Sequence, residues 1–152
     1  MRAIKLKNIE KFFKKIFKSL LSGTKTPVLI SEPQKLFSDE NIKKILLLRH
    51  DRIGDVIISR PLVKNLRKAM PDVDIDILYS SRNFSASFFL SDITNQSFNL
   101  GKKISHKLGV IRKLRKNKYD LVIDLFDNES VTSNLLIRMI KAKVSLGIAK
   151  GN

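Results

Sequence analysis

From Lys43 onward, short apolar runs alternate with longer stretches of helical spacing, and this alternation constrains the fold more than any other feature of the chain. Lys44-Ile-Leu-Leu-Leu48 is continuously apolar after its first residue, as a strand covered on both faces must be. Residues 73–79 alternate at first (Val73-Asp-Ile-Asp-Ile), which predicts a second strand nearer a sheet edge. Residues 95–100, 121–125 and 143–148 supply three more strands. Helices are expected over residues 56–70, 83–90 (short), 103–116 and 130–140. The first of these turns Ile57, Ile58, Leu62, Leu66 and Ala69 to one side. Pro61 lacks an N–H and crowds the preceding turn, so this helix either begins near Ser59 or starts at Asp55 and kinks. Strands that alternate with helices at this spacing predict a parallel, doubly wound α/β sheet of Rossmann-like type. Such sheets bind ligands beyond the C-terminal ends of their strands. Those ends are residues 49–55, 80–84 and 126–129.

The remainder of the chain reads differently. In residues 1–22, Ile9, Phe12, Phe13, Ile16, Phe17, Leu20 and Leu21 recur at helical spacing. Lys7, Lys11, Lys14, Lys15 and Lys18 fall mostly on the other side, and Gly23 supplies a stop. A helix of this kind lies in the plane of an anionic membrane surface, or packs its stripe on a neighbouring domain. Residues 23–42, with Pro27 and Pro33, read as a linker. Residues 43–152 are then a single domain. The excess of 30 Lys and Arg over 14 Asp and Glu, a net charge of +16, favours polyanionic partners: anionic lipid, phosphorylated glycan or nucleic acid. Lysine-rich codon usage would give part of the same excess. The chain has no cysteine, which excludes disulfides, thiolate metal sites and cysteine nucleophiles. No run approaches the roughly 20 apolar residues of a membrane span, and lysines interrupt any signal-peptide core.

The loop after the first strand reads Arg49-His50-Asp51-Arg52-Ile53-Gly54-Asp55-Val56. With one glycine it carries neither the dinucleotide fingerprint nor a phosphate loop. Asp55, at the mouth of the sheet, reads from its position alone as a helix N-cap. Gly54 beside it allows a tight turn, and the helix N-terminus favours the carboxylate form. Asp51 is either a ligand contact or the ion-pair partner of Arg49 or Arg52. Those two arginines would hold phosphates as bidentate forks, or stand as surface charges. His50 reads as a packing or loop residue and His106 as a solvated one. Two isolated histidines make a poor metal site.

The run from Ile45 to Met70, with its Arg-x-Asp-Arg-Ile-Gly-Asp-Val core, Pro61 and the closing Pro71, resembles the opening of glycosyltransferase family 9, which includes the ADP-heptose:lipopolysaccharide heptosyltransferases. Tyr119-Asp-Leu-Val-Ile-Asp124 and Val144-Ser-Leu-Gly147 match further on, in the family's order, so the likeness covers about residues 43–150. The chain departs from the family where Asp51-Arg52 replaces small hydroxyl residues, and where Phe126-Asp127-Asn128 replaces a Gln/His-Gly-Asn pattern. The resemblance implies the acceptor-side, N-terminal half of a glycosyltransferase-B fold, truncated before the donor-binding domain. It implies an inverting transfer without metal from a nucleotide sugar such as ADP-heptose, with Asp55 as general base. Arg49, Asp51, Arg52, Gly54 and Asn128 would then meet the acceptor, a lipid-linked anionic glycan. The fragment is expected to be inactive alone and to need a separate donor-binding domain. It is expected in the cytoplasm, peripheral on the inner membrane through residues 1–22. The competing reading is a non-catalytic anion-binding module that docks on the membrane or on a partner transferase. No recognition-helix signature or aromatic-interleaved basic strand supports nucleic acid as the partner.

Overall fold

The computed structural model describes residues 41–126 and 130–147. The amphipathic segment 1–22, most of the linker and Asn128 lie outside them. Five strands run in chain order: β1 (Lys44–Arg49), β2 (Asp74–Tyr79), β3 (Gln96–Asn99), β4 (Leu121–Asp124) and β5 (Val144–Leu146). Every pairing is parallel, in the order β3-β2-β1-β4-β5. The helices are α1 (Ile53–Ile58), α2 (Arg60–Ala69), α3 (Ile104–Lys116) and α4 (Val131–Ile140), with a 3₁₀ helix at Phe84–Phe89.

The apolar run of β1 is explained by its central place. Ile45 and Leu47 pack into one layer with Val56, Val63, Ile75 and Ile77. Leu46 and Leu48 pack into the opposite layer with Leu78, Ile111, Leu114 and Leu136. Each buried aliphatic side chain of this kind contributes about 2 kcal/mol. The sheet is therefore wound on both faces: α1, α2 and the 3₁₀ helix cover one, α3 and α4 the other.

One expectation is corrected, although the regular helix does begin just after Ser59 with Pro61 in its first turn. The stretch 56–70 is two helices rather than one. Ser59 closes α1, its hydroxyl donating to the Val56 carbonyl at 2.7 Å, and Pro61 sits harmlessly in the first turn of α2. The break also changes which face is inside: Val56 and Val63 are buried, whereas Ile57, Ile58 and Leu62 are 43%, 71% and 54% exposed. β2 lies between β3 and β1, second from the edge and so nearer it than β1, as its alternation predicts. Its second acidic residue, Asp76, is buried because the Tyr119 hydroxyl donates to it at 2.6 Å. Asp74, at the strand's start, meets Lys44 at 3.6 Å near solvent.

Candidate functional site

The strand order reverses between β1 and β4: one side runs outward through β2 and β3, the other through β4 and β5. In sheets of this type ligands bind beyond the strand ends at that reversal. The loop from Arg49 to Asp55 leaves β1 at that point.

Arg49 closes β1 and is 8% exposed. Its Nε and Nη2 donate to the Asp55 carbonyl at 2.9 and 2.7 Å, and Nη1 donates to the Leu125 carbonyl at the end of β4. The guanidinium thus straddles the switch point and ties the first turn of α1 to the neighbouring strand. Asp51 lies 3.0 Å from the same guanidinium, its side chain 7% exposed. Both were candidate acceptor contacts. In this geometry their charged groups face each other and the main chain, so the ion-pair reading of Asp51 is the one realised with Arg49.

The backbone of Arg49 is held as well. Its carbonyl accepts from the Asn83 amide at 2.8 Å, while the Asn83 side-chain oxygen accepts from the Ser80 N–H and hydroxyl at 2.9 and 3.0 Å. Asn83 is fully buried, and so locks the loop after β2 against the loop after β1. Sequence reasoning missed this residue; the only local signal was an asparagine four residues past a strand end. His50 stacks on Phe126, ring centroids 5.5 Å apart, with Nε2 3.4 Å from the Ser133 hydroxyl. Burial holds its imidazole below the ordinary value; Asp124 opposes that shift and Arg49 adds to it. His50 is a packing residue, as its isolation in the sequence suggested.

Asp55 is half-buried in the first turn of α1. Its Oδ2 accepts from the Arg52 N–H at 3.2 Å, which makes it a cap for its own helix. A carboxylate has a second oxygen, and one capping bond leaves it chemically able to act elsewhere. Arg52 and Gly54 are exposed beside it. The expected reason for Gly54 does not hold: a Cβ there would meet nothing within 4 Å, so no tight turn requires glycine. Its effect is to leave open space at this point of the loop. Among the described residues no group of three or more His, Asp or Glu is placed to hold a metal ion.

No protein-family profile matches the chain. Lipopolysaccharide heptosyltransferase 3 of Escherichia coli is 32% identical over 100 residues, covering 61% of this chain and 28% of that protein. The protein of the same name from strain K12 is 33% identical over 106 residues, 65% of this chain and 30% of its own length. The chain thus spans about three tenths of the curated relatives it matches. A glycosyl transferase family 9 structure from Veillonella parvula DSM 2008 superposes with a TM-score of 0.55 at 24% identity, covering 70% of this chain and 31% of its own. Escherichia coli heptosyltransferase WaaC with ADP also gives 0.55, at 18% identity, over 69% of this chain and 34% of that one. The solved structures share the fold, and the curated heptosyltransferases share about a third of the residues over the matched stretch, so the chain is similar to part of a heptosyltransferase.

Proposed function

We propose that the chain serves the acceptor side of an inverting glycosyl transfer of the heptosyltransferase kind, with Asp55 as general base. In such a step an acceptor hydroxyl oxygen bonds to the anomeric carbon while the bond from that carbon to the donor phosphate breaks. The hydroxyl proton passes to the Asp55 carboxylate. The observation that carries this reading is a half-exposed carboxylate beyond the end of β1, at the point where the strand order reverses, its own main chain pinned by Arg49. A base must hold still within hydrogen-bond reach of its proton, and the pinned carbonyl serves that end. Arg52, exposed next to it, is the guanidinium able to meet an acceptor phosphate. The acceptor class that suits a net charge of +16 is an anionic, lipid-linked glycan, met at the cytoplasmic face of the inner membrane with residues 1–22 on the bilayer.

The chain spans about three tenths of the curated relatives, and this reading assigns the nucleotide sugar to a separate donor-binding half. The test joins the chain to such a half and follows transfer from ADP-heptose to a core-glycan acceptor. Asp55→Asn is expected to lower kcat by about 10²–10⁴-fold with little change in acceptor KM. Unchanged turnover removes Asp55 as the base. If the complete assembly transfers nothing yet the chain binds phosphorylated glycan, the non-catalytic anion-binding reading, which the charge also favours, replaces it.

A further inference from the structure

Helices α3 and α4 lie side by side on one face of the sheet and leave between them a groove of about 320 Å³. Leu100, Ile111, Val131, Leu135 and Met139 line it, with Lys107. Apolar side chains continue out of the groove onto the surface: Ile104 is 76% exposed, Leu108 57% and Val131 62%. Ile104 and Leu108 are one helical turn apart and so share a face of α3. Around them the charge has one sign. Every charged side chain from Lys102 to Lys118 is a lysine or an arginine, and Lys102, Lys103 and Arg112 are exposed beside the apolar pair.

The placement matters as much as the composition. The first turns of α3 and α4 follow β3 and the loop after β4, so Ile104 and Val131 stand at the C-terminal edge of the sheet. That is the edge that carries Asp55, and the contact of His50 with Ser133 joins the two regions at 3.4 Å. An occupant of the groove must satisfy exposed aliphatic groups and a cationic rim together. The lysine-rich segment 1–22 repeats the rim's own charge, and so does a second copy of this face. Nucleic acid answers the charge but offers nothing to Ile104, Leu108 and Val131. An anionic bilayer answers both, with headgroups for the lysines and acyl chains for the aliphatic side chains.

We propose that the α3–α4 groove and its basic rim form a docking surface for an anionic lipid bilayer, separate from residues 1–22, which sets the loop of Asp55 against the membrane. The proposal extends the membrane part of the functional reading and does not depend on Asp55 being the base. It is tested on the full chain with vesicles of phosphatidylcholine alone and of phosphatidylcholine with phosphatidylglycerol in equal parts. Ile104→Ser with Leu108→Ser is expected to weaken partitioning onto the anionic vesicles about tenfold or more. Phe12→Ser with Phe13→Ser should weaken it separately and leave a remainder that the groove substitutions abolish. Because the chain has no tryptophan, Leu108→Trp supplies a single indole whose emission reads the groove directly, without relying on the serine variant's stability. It should shift to the blue on anionic vesicles and be quenched by brominated acyl chains. Partitioning of the serine variant equal to wild type, or an indole that stays in water while the chain is vesicle-bound, would overturn the proposal. So would equal binding to pure phosphatidylcholine, or a dimer in solution that the serine substitutions dissolve. Loss of transfer in Asp55→Asn bears on none of these readouts.

Discussion

Asp55 acts in this molecule through two groups that substitution can separate. Its carbonyl belongs to the strut that Arg49 throws across the switch point, and its side chain, at the third position of α1, accepts from the N–H of the cap residue Arg52. Replacing the side chain therefore leaves the strut intact, and the fold should lose no more than about 1 kcal/mol, the usual cost of a lost helix cap. Arg49 is the opposite case. Its planar fork reaches the carbonyls of Asp55 and Leu125 together; an ammonium on a flexible stem cannot hold that geometry. Arg49→Lys is expected to destabilise the domain by about 2 kcal/mol, since at least one buried carbonyl loses a charged donor. Urea unfolding measures this, and a midpoint equal to wild type would show that the strut is dispensable. The inward turn of Arg49 could not be read from the loop's own residues, because Leu125 lies 76 positions away. The place of Asp55 at a strand-to-helix turn was legible because a strand end, a glycine and a helix start are all local.

The helices differ in how their ends are made. Gly101, just before α3, has φ +71°, and a Cβ built on it would come within 2.3 Å of the His106 ring. The ring in turn lies 3.1 Å from the Asn99 carbonyl through Nε2, which folds the first turn of α3 back on the end of β3. Gly101→Ala is expected to cost about 2 kcal/mol, from the left-handed backbone and the displaced imidazole together. Adding His106→Ala should recover only the second part, and thermal unfolding of the pair separates them. At this scale the sequence reading was sound for the existence and order of strands and helices, because apolar spacing is a local property of the chain. It was poorer for which face is buried. Ile57, Ile58 and Leu62 have the spacing of an inner face, yet Ser59 ends α1 and the core takes Val56 and Val63 instead. Ile104 and Leu108 likewise continue the stripe of Ile111 and Leu114 without being covered by it. Spacing reports that a helix is amphipathic; the neighbour that covers it is a tertiary fact.

Across the whole domain two buried carboxylates bend the pH profile of stability in opposite directions. Burial raises the Asp76 carboxyl above the ordinary 3.8, with the Tyr119 hydroxyl opposing. The stability tied to its protonated form is complete below 3.8 and is lost as pH rises through the raised value. Burial also pushes Asp120 up, but Lys143 at 2.6 Å and the Lys43 and Lys44 amides at 2.9 and 3.0 Å outweigh it and hold the group below its ordinary value. Its contribution is present above 3.8 and lost as pH falls through the lowered value. Asp76→Asn, which keeps an acceptor for Tyr119, should remove the decline on the rising side. Asp120→Asn should lower stability at neutral pH and flatten the acid side. Urea midpoints across the acid range distinguish the two, and parallel profiles in both variants would refute the assignment. The Asp76–Tyr119 contact carries one more consequence. It reaches from β2 over β1 to the residue ahead of β4, so it is satisfied in a single alignment of three strands. A one-residue slip would aim the carboxylate into the hydrocarbon layer of Val56 and Val63 and bring an isoleucine up against the phenol. A chain that mispairs its central strands while folding thus strands an ion in oil, and the error is costly enough to be undone before the rest of the sheet can close around it.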